Sequence, residues 1–341
     1  MHVETWVWFA TIGALVGLLL IDLAIAARKG PHVVSIREAT RWVAFYVSLA
    51  VLFGIGLGLV SGQQYGAEFF AGYLTEYSLS VDNLFVFVII MSSFAVPAVH
   101  QHKVLLFGIV LALVLRGIFI AIGAAAIERF VATFFVFGAF LIFTAIKLAR
   151  SGGEEEHGET NGFVRLMERV LPTTKEYDGA NVVTRVDGKR VVTPMLLVMI
   201  AIGSTDILFA LDSIPAIFGL TQEAYIVFTA NAFALMGLRQ LYFLLDGLLD
   251  RLVYLSKGLS VILGFIGVKL ILHAAHEYSW GKDWAPDIGT FTSLGVIVSV
   301  LAVTVVASLL KTRNDSTAAR RLLPAEGEAR EHIPADAAQR E

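Results

Sequence analysis

Two short stretches carry the residues best suited to chemistry. Residues Glu76 to Asn83 read E-Y-S-L-S-V-D-N, and residues Asp206 to Ser213 read D-I-L-F-A-L-D-S. In each, two carboxylates stand six residues apart, Glu76 with Asp82 and Asp206 with Asp212. A polar residue follows the second carboxylate, Asn83 in one copy and Ser213 in the other, and the copies are offset by 130 residues. Both stretches lie in apolar segments long enough to cross a bilayer, where one carboxylate costs roughly 2.5–3.5 kcal/mol at the helix centre. Carboxylates kept at that cost face a protein interior and mark an ion path, a proton relay or a catalytic site. Together with an amide oxygen and a hydroxyl they form a hard, oxygen-rich donor set, suited to Mg2+, Ca2+ or Mn2+ rather than Zn2+ or Cu+. The candidate metal ligands are therefore Glu76, Asp82, Asn83, Asp206, Asp212 and Ser213.

Helical spacing constrains how these residues can be used. At 100° per residue, Glu76, Ser80 and Asn83 fall within about 60° of one another, and Asp82 lies about 100° round from Asn83. A straight helix cannot aim Glu76 and Asp82 at one point. Either they serve different neighbours or the helix breaks between them. In the second copy, Pro215 removes the N–H that would bond the Leu211 carbonyl. A backbone oxygen is thereby freed beside Asp212, as in the broken helices with which transporters build cation sites. The first copy has no such proline.

The echo extends to basic residues. The helix after the first motif carries Arg116 (L-V-L-R-G-I-F), and the one after the second carries Arg239 (M-G-L-R-Q-L-Y). The helices after those carry Lys147 and Lys269. Each unit, about 69–149 and about 194–275, is an acidic helix, an Arg helix and a Lys helix. Three spans per unit make an inverted repeat, an architecture that puts the binding site at the repeat interface near the midplane. Eight charges facing lipid would cost over ~20 kcal/mol, so they face inward, pair, or sit near helix ends. Arg116 and Arg239 are expected as counter-charges that hold an empty carboxylate-lined cavity together. Lys147 either joins them or snorkels at a helix end. The four carboxylates and four bases sum to zero, so taking up a dication requires loss of a proton or of a base pairing. Proton coupling is the resulting hypothesis. Asp22, Ser80, the Leu211 carbonyl and Asn231 are accessory candidates. His100, His102, His273, His276, Glu277, Asp246 and Asp250 read as interfacial or surface residues.

The elements that position these groups are membrane helices. The 341 residues are 57% hydrophobic and only 16% charged, against roughly 25% charged in soluble domains. The net charge of −3 argues against a nucleic-acid partner, and the absence of cysteine removes disulfides, thiolate metal sites and thiol nucleophiles. Nine apolar segments are expected to span the bilayer, near 5–27, 41–60, 69–95, 104–126, 130–149, 194–218, 224–247, 254–275 and 290–310. The first has no basic residue before it and is expected as an uncleaved helix. Lys and Arg concentrate in the 28–41 and 150–193 loops, around Arg251, and at Lys311 and Arg313. The positive-inside rule then puts the N-terminus outside and the C-terminus in the cytoplasm of a plasma (inner) membrane. Within the 150–193 loop, Gly152 to Gly158 is acidic, and Val182 to Val192 alternates around Asp187-Gly188, a hairpin signal. Residues 311–341 read as a flexible cytoplasmic tail.

Several separate motifs, in order, resemble the TerC family. They are G-Y-L-T-E-Y-S-L-S-V-D-N-L-F-V-F, then F-A-V-P with Q-H-K-V-L, the T-K-E-Y-D-G loop, and F-A-L-D-S-I-P-A-I-F. The resemblance covers roughly residues 5–310, with Lys103 where arginine is expected in many members. It implies that Glu76, Asp82, Asn83, Asp206, Asp212 and Ser213 occupy the family's acidic membrane motifs. It also implies kinship with LysE-type exporters, several bacterial members being implicated in manganese efflux. The family is named for tellurium resistance, but a carboxylate-lined site is a poor binder of an oxyanion.

The expected fold is an all-α polytopic membrane protein with about nine transmembrane helices, an inverted repeat and a small cytoplasmic β-hairpin. The expected function is export of a divalent cation, with Mn2+ as transported substrate, the bilayer and that metal as partners, no resident cofactor and no enzymatic activity. Two alternatives stand beside it. In one, Asp82 and Asp212 form the dyad of an intramembrane aspartyl protease. G-x-G-D and P-A-L signatures are missing, however, and Glu76 and Asp206 are left unexplained. In the other, the chain is a membrane scaffold in a metal or tellurite stress response. Oligomeric state is not legible in the sequence.

Overall fold

A computed structural model describes residues 3–29, 35–151, 174, 177–179, 181–186, 189–245, 252–277, 286 and 288–314. Among these residues ten helices run in chain order: α1 Thr5–Lys29, α2 Ile36–Ser61, α3 Gln63–Ser93, α4 Ala98–Arg129, α5 Ala132–Ser151, α6 Pro194–Phe218, α7 Ala224–Met236, α8 Leu238–Leu245, α9 Leu255–Glu277 and α10 Thr290–Asn314. Among the described residues, nine stretches are long and apolar enough to cross a bilayer, with α7 and α8 sharing one, Ala224–Leu244. The protein is thus a multi-pass all-α membrane protein, and its spans fall where apolar length locates them.

Local chemistry sets the boundaries. Ser35 caps α2, its hydroxyl accepting from the Glu38 N–H at 3.3 Å. Pro97 precedes α4 and Pro194 opens α6, positions where a missing N–H costs nothing. The turn between α2 and α3 is the single residue Gly62, whose φ of 123° disfavours any side chain. Because the turn is so short, α3 begins at Gln63, six residues before the expected start at 69, and so takes in Glu68.

Burial ranks the helices. The α7–α8 span is 89% buried, α3 is 65% and α6 is 61%, whereas α1 is 11% and α2, α5 and α10 are 22% each. The first three therefore form the centre, and the others present apolar faces outward, with Leu59, Val60 and Phe9 widely exposed. Such a surface suits lipid rather than water. Small residues allow close crossings. A Cβ on Gly66 would lie 2.9 Å from the Gly58 Cα, joining α3 to α2. A Cβ on Gly138 would lie 2.8 Å from the Gly267 carbonyl oxygen, joining the two lysine helices α5 and α9. An aromatic cluster of Phe53, Phe69 and Phe233 fills the space between α2, α3 and α7, the Phe53 and Phe233 rings being 4.8 Å apart.

The hairpin forms as the alternation predicts. Strand β1 (Val183–Val186) pairs antiparallel with β2 (Lys189–Val192), Val186 opposite Lys189. Its turn residues Asp187 and Gly188 lie outside the described residues, as do the acidic 152–158 stretch, Asp246, Asp250, Arg251, Lys282 and the tail from 315. The Tyr177 hydroxyl donates to the Phe94 carbonyl at 2.7 Å, tying the loop to the end of α3.

The bundle has two faces. Face I gathers the starts of α3, α5 and α10 with the ends of α6 and α9. Face II holds the end of α3, the start of α4, the hairpin, and the start of α9 beside the end of α10.

Candidate functional site

The motif carboxylates divide between two places. The first is a dry cluster at the centre of the bundle. Glu76 on α3 is fully buried and is ion-paired with Arg116 of α4, itself 1% exposed. Arg116 also reaches Asp206 of α6 at 3.5 Å and donates to the Asn231 side-chain oxygen of α7 at 2.9 Å. The Ser80 hydroxyl, one turn on from Glu76, donates to the same carboxylate at 3.2 Å. One guanidinium thus joins a carboxylate from each repeat unit. Its fork can serve two or more acceptors at once, as a lysine ammonium could not do with the same fixed geometry. The cluster is incompletely satisfied. Glu76 Oε2 and Asp206 Oδ2 are buried oxygens with no hydrogen-bond partner among the described residues. Orphan oxygens in a dry interior each carry a desolvation cost of about 1–3 kcal/mol.

The second place is a small cavity of about 40 Å3 lined by Asp82, Asn83, Thr144, Lys147, Asp212 and apolar neighbours. It has room for an ion and little more. The Ser256 hydroxyl of α9 donates to Asp82 Oδ1 at 3.2 Å, and the Thr144 hydroxyl of α5 donates to Asp212 Oδ1 at 3.1 Å. Four helices therefore contribute polar groups: α3, α5, α6 and α9. Six residues of helix separate Glu76 from Asp82, about 9 Å along the axis.

Helix α3 is continuous from Glu76 through Asp82, so the two carboxylates serve different neighbours, the first of the two options that the spacing allowed. Helix α6 also continues through Pro215, which sits in its last turn. The Leu211 side chain is exposed and lines neither site. The broken span is instead α7–α8, interrupted at Gly237, two residues before Arg239. Asn83, grouped with Glu76 by helical angle, lines the Asp82 cavity, and Ser213 is buried with its hydroxyl unpartnered. Among the described residues, no three His, Asp or Glu side chains gather into a ready-made metal cage.

The four repeat bases do not all attend these carboxylates. Arg239 pairs with Asp22 of α1 at 2.5 Å, and Gln240 donates to the same carboxylate at 3.5 Å. His102 Nε2 lies 3.5 Å from the same arginine. Lys269 lines a different cavity, of about 510 Å3, at face I, with Glu68, Glu223 and His273. Lys147 is exposed at the rim of the small cavity. Arg116 thus attends the central pair of motif carboxylates, and Lys147 lines the cavity that holds the other pair.

Two polar features escaped the sequence reading. Glu68 is 6% exposed, and its carboxylate accepts from Thr221 at 2.6 Å, Gln64 at 3.0 Å and Thr290 at 3.5 Å. Its signal was a lone carboxylate at the edge of an apolar run, beside two glutamines. His273, read as a surface residue, bonds Gln222 at 2.8 Å and packs edge-on against Phe134.

Comparison with known proteins gives a consistent result. The description of the integral membrane protein TerC family matches residues 61–316. An uncharacterized membrane protein of Mycobacterium tuberculosis is 51% identical over 317 residues, covering 90% of this chain and 80% of its own. The chloroplastic thylakoid membrane protein TERC of Arabidopsis thaliana is 43% identical over 280 residues, covering 82% and 71%. A putative membrane-bound redox modulator, Alx, of Salmonella typhi is 38% identical over 309 residues, covering 88% and 92%. No solved structure matches this chain.

Proposed function

Starting from the premise that this chain belongs to the TerC family of integral membrane proteins, we propose that it is a secondary transporter exporting a divalent metal cation, Mn2+ foremost, from the cytoplasm. It acts as a carrier, not an enzyme, with no resident cofactor. One observation carries the reading: equivalent carboxylates from the two repeat units meet across the bundle, Glu76 with Asp206 on Arg116, and Asp82 with Asp212 in one small cavity. Buried carboxylates at a repeat interface are the construction of an ion pathway.

The donors support a hard dication. They are carboxylate, hydroxyl and amide oxygens, and no thiolate is available. A cavity of about 40 Å3 suits a small ion that keeps few protein ligands better than Ca2+, which gathers 6–8 oxygens. Uptake of a dication beside Arg116 and Lys147 calls for loss of a proton or of a base pairing, so the export is proposed to be coupled to protons. Arg116 acts as the tethered cation that keeps Glu76 and Asp206 together while the pathway is empty.

The positive-inside rule assigns face II, with the hairpin, to the cytoplasm of the plasma (inner) membrane and face I to the outside. The Asp82–Asp212 cavity also favours a second reading, a protease dyad sharing a proton. Separate hydroxyl donors on the two carboxylates, from Ser256 and Thr144, count against it.

The test is total cell manganese, with other metals, in a host lacking its own exporters. Intact protein is compared with Asp82→Asn and Asp212→Asn at equal membrane abundance. Lowered manganese that both variants restore supports the proposal. Unchanged metals together with lost cleavage of a membrane peptide would favour the dyad.

A further inference from the structure

A second cavity stands apart from the one that holds the motif carboxylates. It measures about 510 Å3, opens at face I, and is lined by Glu68, Lys269, His273, Gln222, Glu223 and Thr290 among others. Glu68 is its buried anion, on the first turns of α3. The hydrogen bonds it accepts come from neutral donors on three separate elements: Gln64 of α3, Thr221 between α6 and α7, and Thr290 at the start of α10. A carboxylate so held, beside a cavity this large, is an anionic anchor with space in front of it.

Among the described residues, the ionisable groups around the cavity are Tyr65 and Glu68 from α3, Glu223 from the 219–223 connection, and Lys269 and His273 from α9. Lys269 is the fixed cation among them. The arrangement mirrors the small cavity at the other end of the pathway, where Lys147 stands at the rim beside Asp82 and Asp212. Each cavity therefore sets the lysine of one repeat unit against carboxylates. Moreover, Glu68, Glu76 and Asp82 descend one continuous helix. They are separated by eight and then six residues, about 12 and 9 Å along the axis.

We propose that Glu68 is an outer cation station: the hydrated divalent ion leaving the central cluster pauses there, with its waters kept in the 510 Å3 cavity and the Lys269 ammonium on the same cavity wall opposing its charge. The proposal rests on the cation-transport reading above. A hydrated ion suits the space, because small divalent cations dehydrate reluctantly and are held through one or two carboxylates with several waters. Hydroxyls and amide oxygens of Thr221, Thr290, Gln64 and Gln222 supply the outer contacts.

The experiment is equilibrium Mn2+ binding to the purified full-length protein in detergent, read by the loss of the free-ion electron paramagnetic resonance signal. The protein as it stands is expected to bind two equivalents. Glu68→Gln is expected to lose one and keep the other, and Asp82→Asn to lose the other. Because Glu68→Gln could disturb the contacts to Thr221 and Thr290, Lys269→Met serves as a variant of opposite sign. Removing the competing ammonium is expected to tighten the outer site by on the order of tenfold, about 1.4 kcal/mol. Two equivalents retained in Glu68→Gln, or unchanged affinity in Lys269→Met, overturns the outer station while leaving the transporter reading intact. No Mn2+ bound by the protein as it stands overturns both.

Discussion

Arg116 is the residue on which the energetics of the central cluster turn. Replacing it by Met keeps an unbranched apolar stem and removes the charge that Glu76 and Asp206 share, together with the bond to Asn231 at 2.9 Å. Both carboxylates are nearly inaccessible, at 0% and 3% exposure, so water cannot replace the guanidinium. Removing one partner of a buried ion pair costs about 3–5 kcal/mol, which is the loss of stability expected for Arg116→Met. Glu76→Gln is expected to cost less, about 1–3 kcal/mol, because Arg116 keeps Asp206 and Asn231. The two changes should not add. In Arg116→Met/Glu76→Gln one of the stranded charges is gone, and the double variant should be more stable than the sum of the singles by about 1–3 kcal/mol. Adding Asp206→Asn removes the last stranded charge and should bring stability back further, since a buried ion cluster replaced as a whole is often neutral. The assay is reversible unfolding in mixed micelles, with helix content as the signal. Arg116→Met within about 1 kcal/mol of the parent, or strictly additive singles, would refute the account of a shared counter-charge.

Three further outcomes follow from the geometry. Gly267→Ala forces a Cβ to within 2.9 Å of the Gly138 carbonyl oxygen, so α5 and α9 must part; unfolding in micelles should show a loss of about 1–3 kcal/mol. Asp22→Asn leaves Arg239 buried without its carboxylate, and unfolding should show that Asp22→Asn/Arg239→Met costs less than the two single changes summed. In the hairpin, hydrogen bonds from Thr184 and then Asn181 hold the exposed Asp178 carboxyl below its ordinary value. That contribution is present above the ordinary value and is lost as pH falls through the lowered one, so it fades only in acid. Thr184→Val should raise the Asp178 pKa toward the ordinary value, a shift measurable by NMR titration of the isotope-labelled protein.

Spans were legible because apolar length over 20-odd residues is a strong signal, and the hairpin because alternation around Asp187-Gly188 is another. The two carboxylate pairs were legible as a repeat, and helical angle alone said that Glu76 and Asp82 could not share a target on a straight helix. Partnerships across the bundle were not legible. Arg239 looks like the counterpart of Arg116 in sequence, yet it binds Asp22, 217 residues away on α1. Glu68 meets Thr221 at a separation of 153 residues. Such contacts depend on which helices adjoin, which no local pattern encodes. The interruption at Gly237 was hidden for a different reason. One glycine in an apolar run costs only about 1 kcal/mol in a helix and is common in membrane spans. Pro215 drew attention to α6 instead, yet in its last turn the proline leaves the helix unbroken.

The most direct test of the central claim is Mn2+ flux in proteoliposomes. Purified protein is reconstituted with a metal-sensitive dye inside, and Mn2+ is added outside across a set membrane potential. The account predicts metal-dependent, saturable flux that disappears in Asp82→Asn and in Asp212→Asn while both variants remain folded. It also predicts that flux falls when the pH gradient is collapsed at fixed potential. Flux that survives both substitutions, or no flux of any divalent cation from folded protein, would contradict it.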